Sequence, residues 1–62
     1  MTPSQKNEIK KLEIRYDIKN VKILGSNKQG EIIITYKSGL YNVKALIGKR
    51  GKRTIIFYNS CD

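Results

Sequence analysis

Apolar and polar side chains alternate through much of the second half of the chain. In the segments 31–37 and 41–47 apolar residues return at every second position, and 53–58 is rich in β-branched and aromatic residues. A period of two is typical of a half-buried β-strand, so each of these segments predicts one. Short polar stretches that contain glycine separate the segments and predict tight turns. They are residues 25–30, 37–40 and 48–52.

The first twenty residues allow two interpretations. The segment 2–4, Thr-Pro-Ser, is typical of a helix start. A strand would explain four alternating apolar residues, which are Leu12, Ile14, Tyr16 and Ile18. A helix would explain three residues on one face, which are Ile9, Leu12 and Tyr16. We therefore predict a short helix over about 3–10 and a strand over about 11–19, with one helix over about 3–17 as the alternative.

These elements predict a mostly β fold. At Lys19 and Asn20 the alternation changes phase, which indicates a bulge or a tight turn before a strand through Val21 and Ile23. Short strands joined by glycine turns favour an antiparallel meander, or a five-stranded barrel-like sheet, with a short N-terminal helix. If the continuous helix forms, the fold is α+β, with that helix packed on a four-stranded antiparallel sheet.

The length of 62 residues predicts a single small domain over 1–62. Chains this short often need a disulfide, a metal or a partner subunit for stability. One cysteine and no histidine exclude an internal disulfide and argue against a metal site or cofactor. Cys61, near the end of the sequence, is interpreted as a free thiol without a catalytic role. Ten isoleucines argue against disorder, and no apolar run exceeds four residues, so we expect no membrane span.

Charge is the feature that points to a partner. The chain has 13 Lys and Arg against 5 Asp and Glu, a formal net charge of +8. Residues 32–61 contain six cations and no acid. A surface of one sign attracts polyanions, so we expect nucleic acid as a partner. The absence of a secretory signal and the single thiol predict a cytoplasmic protein.

The densest cluster of charge lies in the glycine turn before the last predicted strand. It predicts phosphate contacts, because glycine lets backbone amides approach a phosphate that basic side chains neutralise. The alternative is a solvated hairpin turn. The predicted contact residues there are Lys49, Arg50, Gly51, Lys52 and Arg53.

This turn resembles the GXXG loop of the KH nucleic-acid-binding domain. Ile47 followed by Gly48, Lys49, Arg50 and Gly51 fits that loop, in which an isoleucine precedes Gly-X-X-Gly with basic residues between. The resemblance covers about nine residues and implies a similar contact with a nucleic-acid backbone. Helices flank the loop in the KH domain, whereas a strand is predicted after it here, so the resemblance does not extend to the fold.

A second candidate contact lies on the predicted hairpin at 37–40. Tyr41 beside Lys37 and Lys44 could stack an unpaired base and hold its phosphate. The alternative is packing in the core, which the alternation favours because Tyr36 and Tyr41 fall in phase with buried positions.

The expected function is therefore a small basic accessory protein that binds DNA or RNA through backbone contacts with weak sequence preference. No enzymatic activity is expected, because the chain lacks histidine and has no carboxylate pair at a catalytic spacing. The alternative is a small regulator or inhibitor that binds another protein, of the kind mobile elements encode. Apolar residues on both faces of two strands favour that alternative and also a homo-oligomer.

Overall fold

A computed structural model describes residues 1–60 and contains one helix and four strands. In chain order they are α1 (Pro3–Ile14), β1 (Lys22–Ser26), β2 (Ile32–Ser38), β3 (Tyr41–Ile47) and β4 (Arg53–Ser60). Cys61, interpreted above as a free thiol, lies outside the described residues.

The four strands form one sheet in the order β1-β2-β3-β4, with every neighbouring pair antiparallel. The predicted antiparallel meander with an N-terminal helix is thus confirmed, in the four-stranded form. The predicted strands at 31–37, 41–47 and 53–58 are all present, each within two residues of its expected ends. Asp17 and Asn20 adopt positive φ angles of 53° and 62°, and the phase change near Asn20 falls in the irregular connection before β1.

The strand predicted over 11–19 is wrong, and so is the five-stranded sheet that depended on it. Helix α1 continues to Ile14, and residues 15–21 form a connection without regular structure. The alternation was misleading because Ile14 and Tyr16 are exposed, while only Leu12 and Ile18 are buried. The helix prevails because Thr2 caps it strongly and because Leu12 and Ile9 both pack on the sheet.

One face of the sheet packs on α1 and contains the core. Alternate residues of β2 and β3 point to it and are buried, which fixes the remaining residues of both strands on the opposite face. We call that opposite face the open face. The buried apolar residues are Leu12, Ile18, Ile32, Ile34, Tyr36, Val43, Ala45 and Ile47.

Gln5 is the buried polar residue that joins α1 to the sheet. Its Nε2 donates to the carbonyl oxygens of Gly30 at 2.9 Å and Ile47 at 3.1 Å, and its Oε1 accepts from the Thr2 amide at 2.8 Å. The Thr2 hydroxyl accepts from the Gln5 amide at 3.2 Å, which completes a capping box, and donates to the Lys49 carbonyl at 2.8 Å. The start of the helix is therefore tied to two turns at the same end of the sheet.

A β-bulge in β4 decides which of its side chains share a face. Ala45 pairs with Ile55 and Lys44 pairs with Phe57, so Ile56 is an extra residue without a partner in β3. As a result, Ile55 lies on the helix side of the sheet and Phe57 on the open face. Among residues 1–60, no helix is long and apolar enough to cross a membrane.

Candidate functional site

The open face brings basic residues from three strands together. Lys22 of β1 pairs with Thr35 of β2, Thr35 pairs with Lys44 of β3, and Lys44 pairs with Phe57 of β4. These four residues form a row across the sheet. Because neighbouring strands lie about 4.8 Å apart, the backbones of Lys22 and Lys44 are separated by about 10 Å.

A second row lies beside the first. Lys37 of β2 pairs with Asn42 of β3, and Asn42 pairs with Asn59 of β4. The two rows together carry three lysines, a threonine, two amides and one exposed phenylalanine. Such a surface offers charge, hydrogen-bond donors and an aromatic face within one patch.

The rows line a shallow depression of about 770 Å³. The connection between α1 and β1 forms its rim with Asp17, Lys19 and Asn20. We call the four lysines of this depression the lysine cluster. They are Lys19, Lys22, Lys37 and Lys44.

Among the described residues, no acid forms an ion pair with the lysine cluster. Within residues 1–60, the one ion pair closer than 4.0 Å joins Arg53 and Glu8, on the other side of the sheet. Asp17 is the acid that lines the depression, against four lysines. The depression therefore keeps a net positive charge that an anionic ligand can neutralise.

The glycine turn that the sequence singled out is a packing element. The Gly51 amide donates to the Gly48 carbonyl and the Gly48 amide to the Lys52 carbonyl, both at 2.9 Å, so neither amide is free for a phosphate. Gly51 has a φ of +91°, and a Cβ on it would lie 3.0 Å from the Ser4 carbonyl oxygen. Its close approach is thus to the start of α1, whereas Gly48 has no positive φ.

Two of the four cations in the segment 49–53 also have structural contacts. The aliphatic part of Lys49 covers Gly30, in the space that a side chain there would occupy. Arg53 lies half-buried, with its Nη1 3.5 Å from the Glu8 carboxylate and its guanidinium 5.6 Å from the centre of the Tyr16 ring. Arg53 therefore fastens β4 to the end of α1, whereas Arg50 and Lys52 remain exposed.

The predicted contact residues divide into two separate places. Lys37 and Lys44 belong to the lysine cluster, while the turn at 48–52 lies at the opposite end of the sheet. Asn42, the partner of Lys37, lies five residue steps along β3 from Ile47, the residue before that turn, which is about 17 Å of strand.

Tyr41 does not share the surface of the lysine cluster. It lies on the helix side at the start of β3, 49% exposed, and the centre of its ring lies 5.8 Å from that of Tyr58 in an edge-on arrangement. The expectation that Tyr36 and Tyr41 point to the core side holds for both, but only Tyr36 is buried.

Sequence reasoning missed Lys19, Lys22 and Phe57. Lys22 could be placed beside Lys44 only with the register of three strands, and Phe57 reaches the open face only because of the bulge at Ile56. Lys19 was interpreted as a solvated charge, since nothing local shows that its loop borders the sheet. The one available signal was the phase of Lys44, which already places that residue opposite the core.

Comparison with protein-family models, curated proteins and solved structures finds no significant match.

Proposed function

We propose that this protein binds single-stranded nucleic acid across the open face of its sheet, with weak sequence preference. The observation that supports it is a row that combines an exposed aromatic ring with cations that form no ion pair within residues 1–60. The row consists of Lys22, Thr35, Lys44 and Phe57. Proteins that bind single strands use this combination of a basic groove and stacking platforms.

The lysines of the cluster act on phosphates. Each phosphate that they neutralise releases condensed counterions, and for single strands this lowers the logarithm of the affinity by about 0.7 per tenfold rise in salt. Four contacts give a slope of about −2.8. Because lysine is a flexible point charge, these contacts hold the backbone and do not distinguish bases.

Phe57 acts on bases. Its side chain is 58% exposed beside Lys44, so an unpaired base can stack on the ring while its phosphate meets the lysine. A stacked base contributes about 1–3 kcal/mol. A duplex keeps its bases stacked on one another, so this contact favours single strands. Asn42 and Asn59, next in the second row, can donate and accept hydrogen bonds at base or sugar edges.

The turn at 48–52 extends the basic surface in a secondary role. Arg50 and Lys52 are exposed and can contact a strand that runs beyond the sheet. Arg53 is assigned to the fold because Glu8 and Tyr16 already hold it. We expect no catalytic activity, and a cytoplasmic location suits a nucleic-acid ligand.

The test is binding of a labelled single-stranded oligonucleotide, followed by fluorescence anisotropy, with two double variants. Lys22→Gln/Lys44→Gln removes two central charges, and Lys6→Gln/Lys10→Gln removes two exposed charges from α1. The loss of two contacts weakens binding about 25-fold at about 100 mM salt, while the helix variant stays close to the native protein. Equal weakening by both variants would show that only net charge matters and would refute the assignment to the open face.

A small regulator that binds another protein, such as a mobile element encodes, is the second candidate. The exposed apolar residues of β4 favour it. A pull-down from lysate with and without nuclease separates the two candidates. Partners held through nucleic acid disappear on nuclease treatment, whereas a directly bound protein remains.

A further inference from the structure

Within residues 1–60, strand β4 has no partner strand on its outer side, so one whole edge of the sheet is unpaired. It is the last strand in the order, and every residue from 54 to 60 is exposed. Four consecutive apolar side chains, Ile55, Ile56, Phe57 and Tyr58, are each between 50% and 64% exposed. A long apolar edge of this kind attracts another strand, and natural proteins normally protect it with charges, prolines or a covering element.

We propose that β4 pairs antiparallel with β4 of a second copy, which joins the two sheets into one of eight strands. The polarity of the strand is symmetric about its midpoint between Ile56 and Phe57, since two polar residues flank four apolar ones on each side. Antiparallel pairing about that point sets Ile55 opposite Tyr58 and Ile56 opposite Phe57 of the other copy. It also sets Thr54 opposite Asn59 and Arg53 opposite Ser60.

The bulge makes this register consistent with the faces of the sheet. Ile55 pairs with Ala45 and Tyr58 with Val43, so both lie on the helix side, although they are three residues apart. Residues paired directly across two strands have to lie on the same face. In a strand without a bulge, Ile55 and Tyr58 would lie on opposite faces of the sheet, so they could not be directly paired in this register.

Charge also favours a second copy over a nucleic acid at this edge. Residues 54–60 contain no charged side chain, although the whole chain carries +8. The two Arg53 residues would lie at opposite ends of the paired strands. Two copies can therefore approach here without a close like-charge contact, and a phosphate would find no cation along the edge itself.

The pairing also completes an apolar surface on the helix side. Tyr41, Ile55 and Tyr58 border a small depression of about 240 Å³ there, which α1 does not cover. Tyr58 of each copy would lie opposite Ile55 of the other, so both depressions would meet at the two-fold axis. On the open face, Phe57 of each copy would lie beside the same axis, and the lysine clusters of the two copies would belong to one continuous surface. That last consequence rests on the proposed nucleic-acid binding; the pairing does not.

The experiment measures the dimer dissociation constant by sedimentation equilibrium, without nucleic acid, at low and high salt. The native chain should dimerise, and more tightly at high salt, because salt screens the repulsion between two basic copies. Nucleic-acid binding weakens with salt, so the two proposals can fail separately. Ile55→Lys sets a lysine against an apolar neighbour and should raise the constant about tenfold or more. The matched control is Leu24→Lys, at an exposed position of the other edge strand, and should leave it unchanged.

Amide hydrogen exchange of the native chain gives a second readout that needs no variant. The amides of residues 54–60 should exchange more slowly as protein concentration rises, while those of β1 should not change. A chain that stays monomeric at high concentration, or a dimer that both lysine variants weaken equally, would overturn the proposal. The monomer result would leave the β4 edge to a strand of a different protein.

Discussion

Replacing Gln5 by alanine should destabilise the protein far more than its position in the first turn of a helix suggests. The side chain is 1% exposed and makes three hydrogen bonds, to the carbonyls of Gly30 and Ile47 and from the amide of Thr2. Alanine removes all three and takes the Gln5 side-chain donor from the buried Ile47 carbonyl.

The size of the effect follows from those contacts. Each hydrogen bond contributes about 1 kcal/mol net to stability, and one of the three lost here belongs to the capping box. The expected loss in the free energy of unfolding is about 3 kcal/mol. A domain of this size has a total stability of about 3–9 kcal/mol, so the variant should be close to unfolding.

Thermal and urea unfolding, followed by circular dichroism, measure this loss. A change of 1 kcal/mol shifts the midpoint of so small a domain by about 4–8 °C, so Gln5→Ala should lower Tm by about 12–24 °C. The control is Asn7→Ala, an exposed residue of the same helix, which should change Tm by no more than a few degrees. If Gln5→Ala lowers Tm no more than Asn7→Ala does, the Gln5 side chain does not hold the carbonyls of Gly30 and Ile47, and α1 is joined to the sheet in another way.

Three further substitutions test the division between the fold and the binding surface. Gly51→Ala should lower the free energy of unfolding in urea by about 2–3 kcal/mol, because the φ of Gly51 is +91° and the new Cβ would crowd the Ser4 carbonyl. The control Gly39→Ala, with a φ of +59° and open space around it, should lower it by about 1 kcal/mol. Equal losses would contradict the contact with Ser4. Arg53→Met should lower stability by about 1 kcal/mol, because it removes the ion pair with Glu8 and the cation–π contact with Tyr16. The salt dependence of oligonucleotide binding should stay unchanged, and a shallower dependence would show that Arg53 contacts phosphates. Phe57→Ala should weaken oligonucleotide binding by about 1–3 kcal/mol with an unchanged salt slope. Tyr41→Ala, on the helix side, should leave binding unchanged, and a larger loss with Tyr41→Ala than with Phe57→Ala would place the stacking surface beside α1.

The sheet could be predicted from the sequence because its signals are local. Apolar residues return at every second position of 32–36 and 43–47, and a glycine turn separates the two segments, so neither strand depends on distant contacts to be recognised. The strand prediction for 11–19 was wrong because the deciding contacts are distant in the sequence. The alternation of this segment competes with a helical pattern, and the contacts that decide between them, from Gln5 to Gly30 and Ile47, span 25 and 42 residues.

The candidate site was predictable only in part. The phase of the strands is enough to place Lys37 and Lys44 away from the core. It cannot show that Lys22 lies in the same row, because that depends on the pairing of β1 with β2. It also cannot show that Gly51 of the basic turn serves packing, since Gly51 contacts Ser4, which is distant in the sequence.

The most direct test of the central claim is the salt dependence of single-strand binding. With four lysines on phosphates, the native protein should lose about 50-fold in affinity between about 50 and 200 mM salt. The Lys22→Gln/Lys44→Gln variant, with two contacts left, should lose only about 7-fold, and Lys6→Gln/Lys10→Gln should follow the native protein. A flat dependence for the native protein, or one slope shared by all three proteins, would contradict binding at the open face.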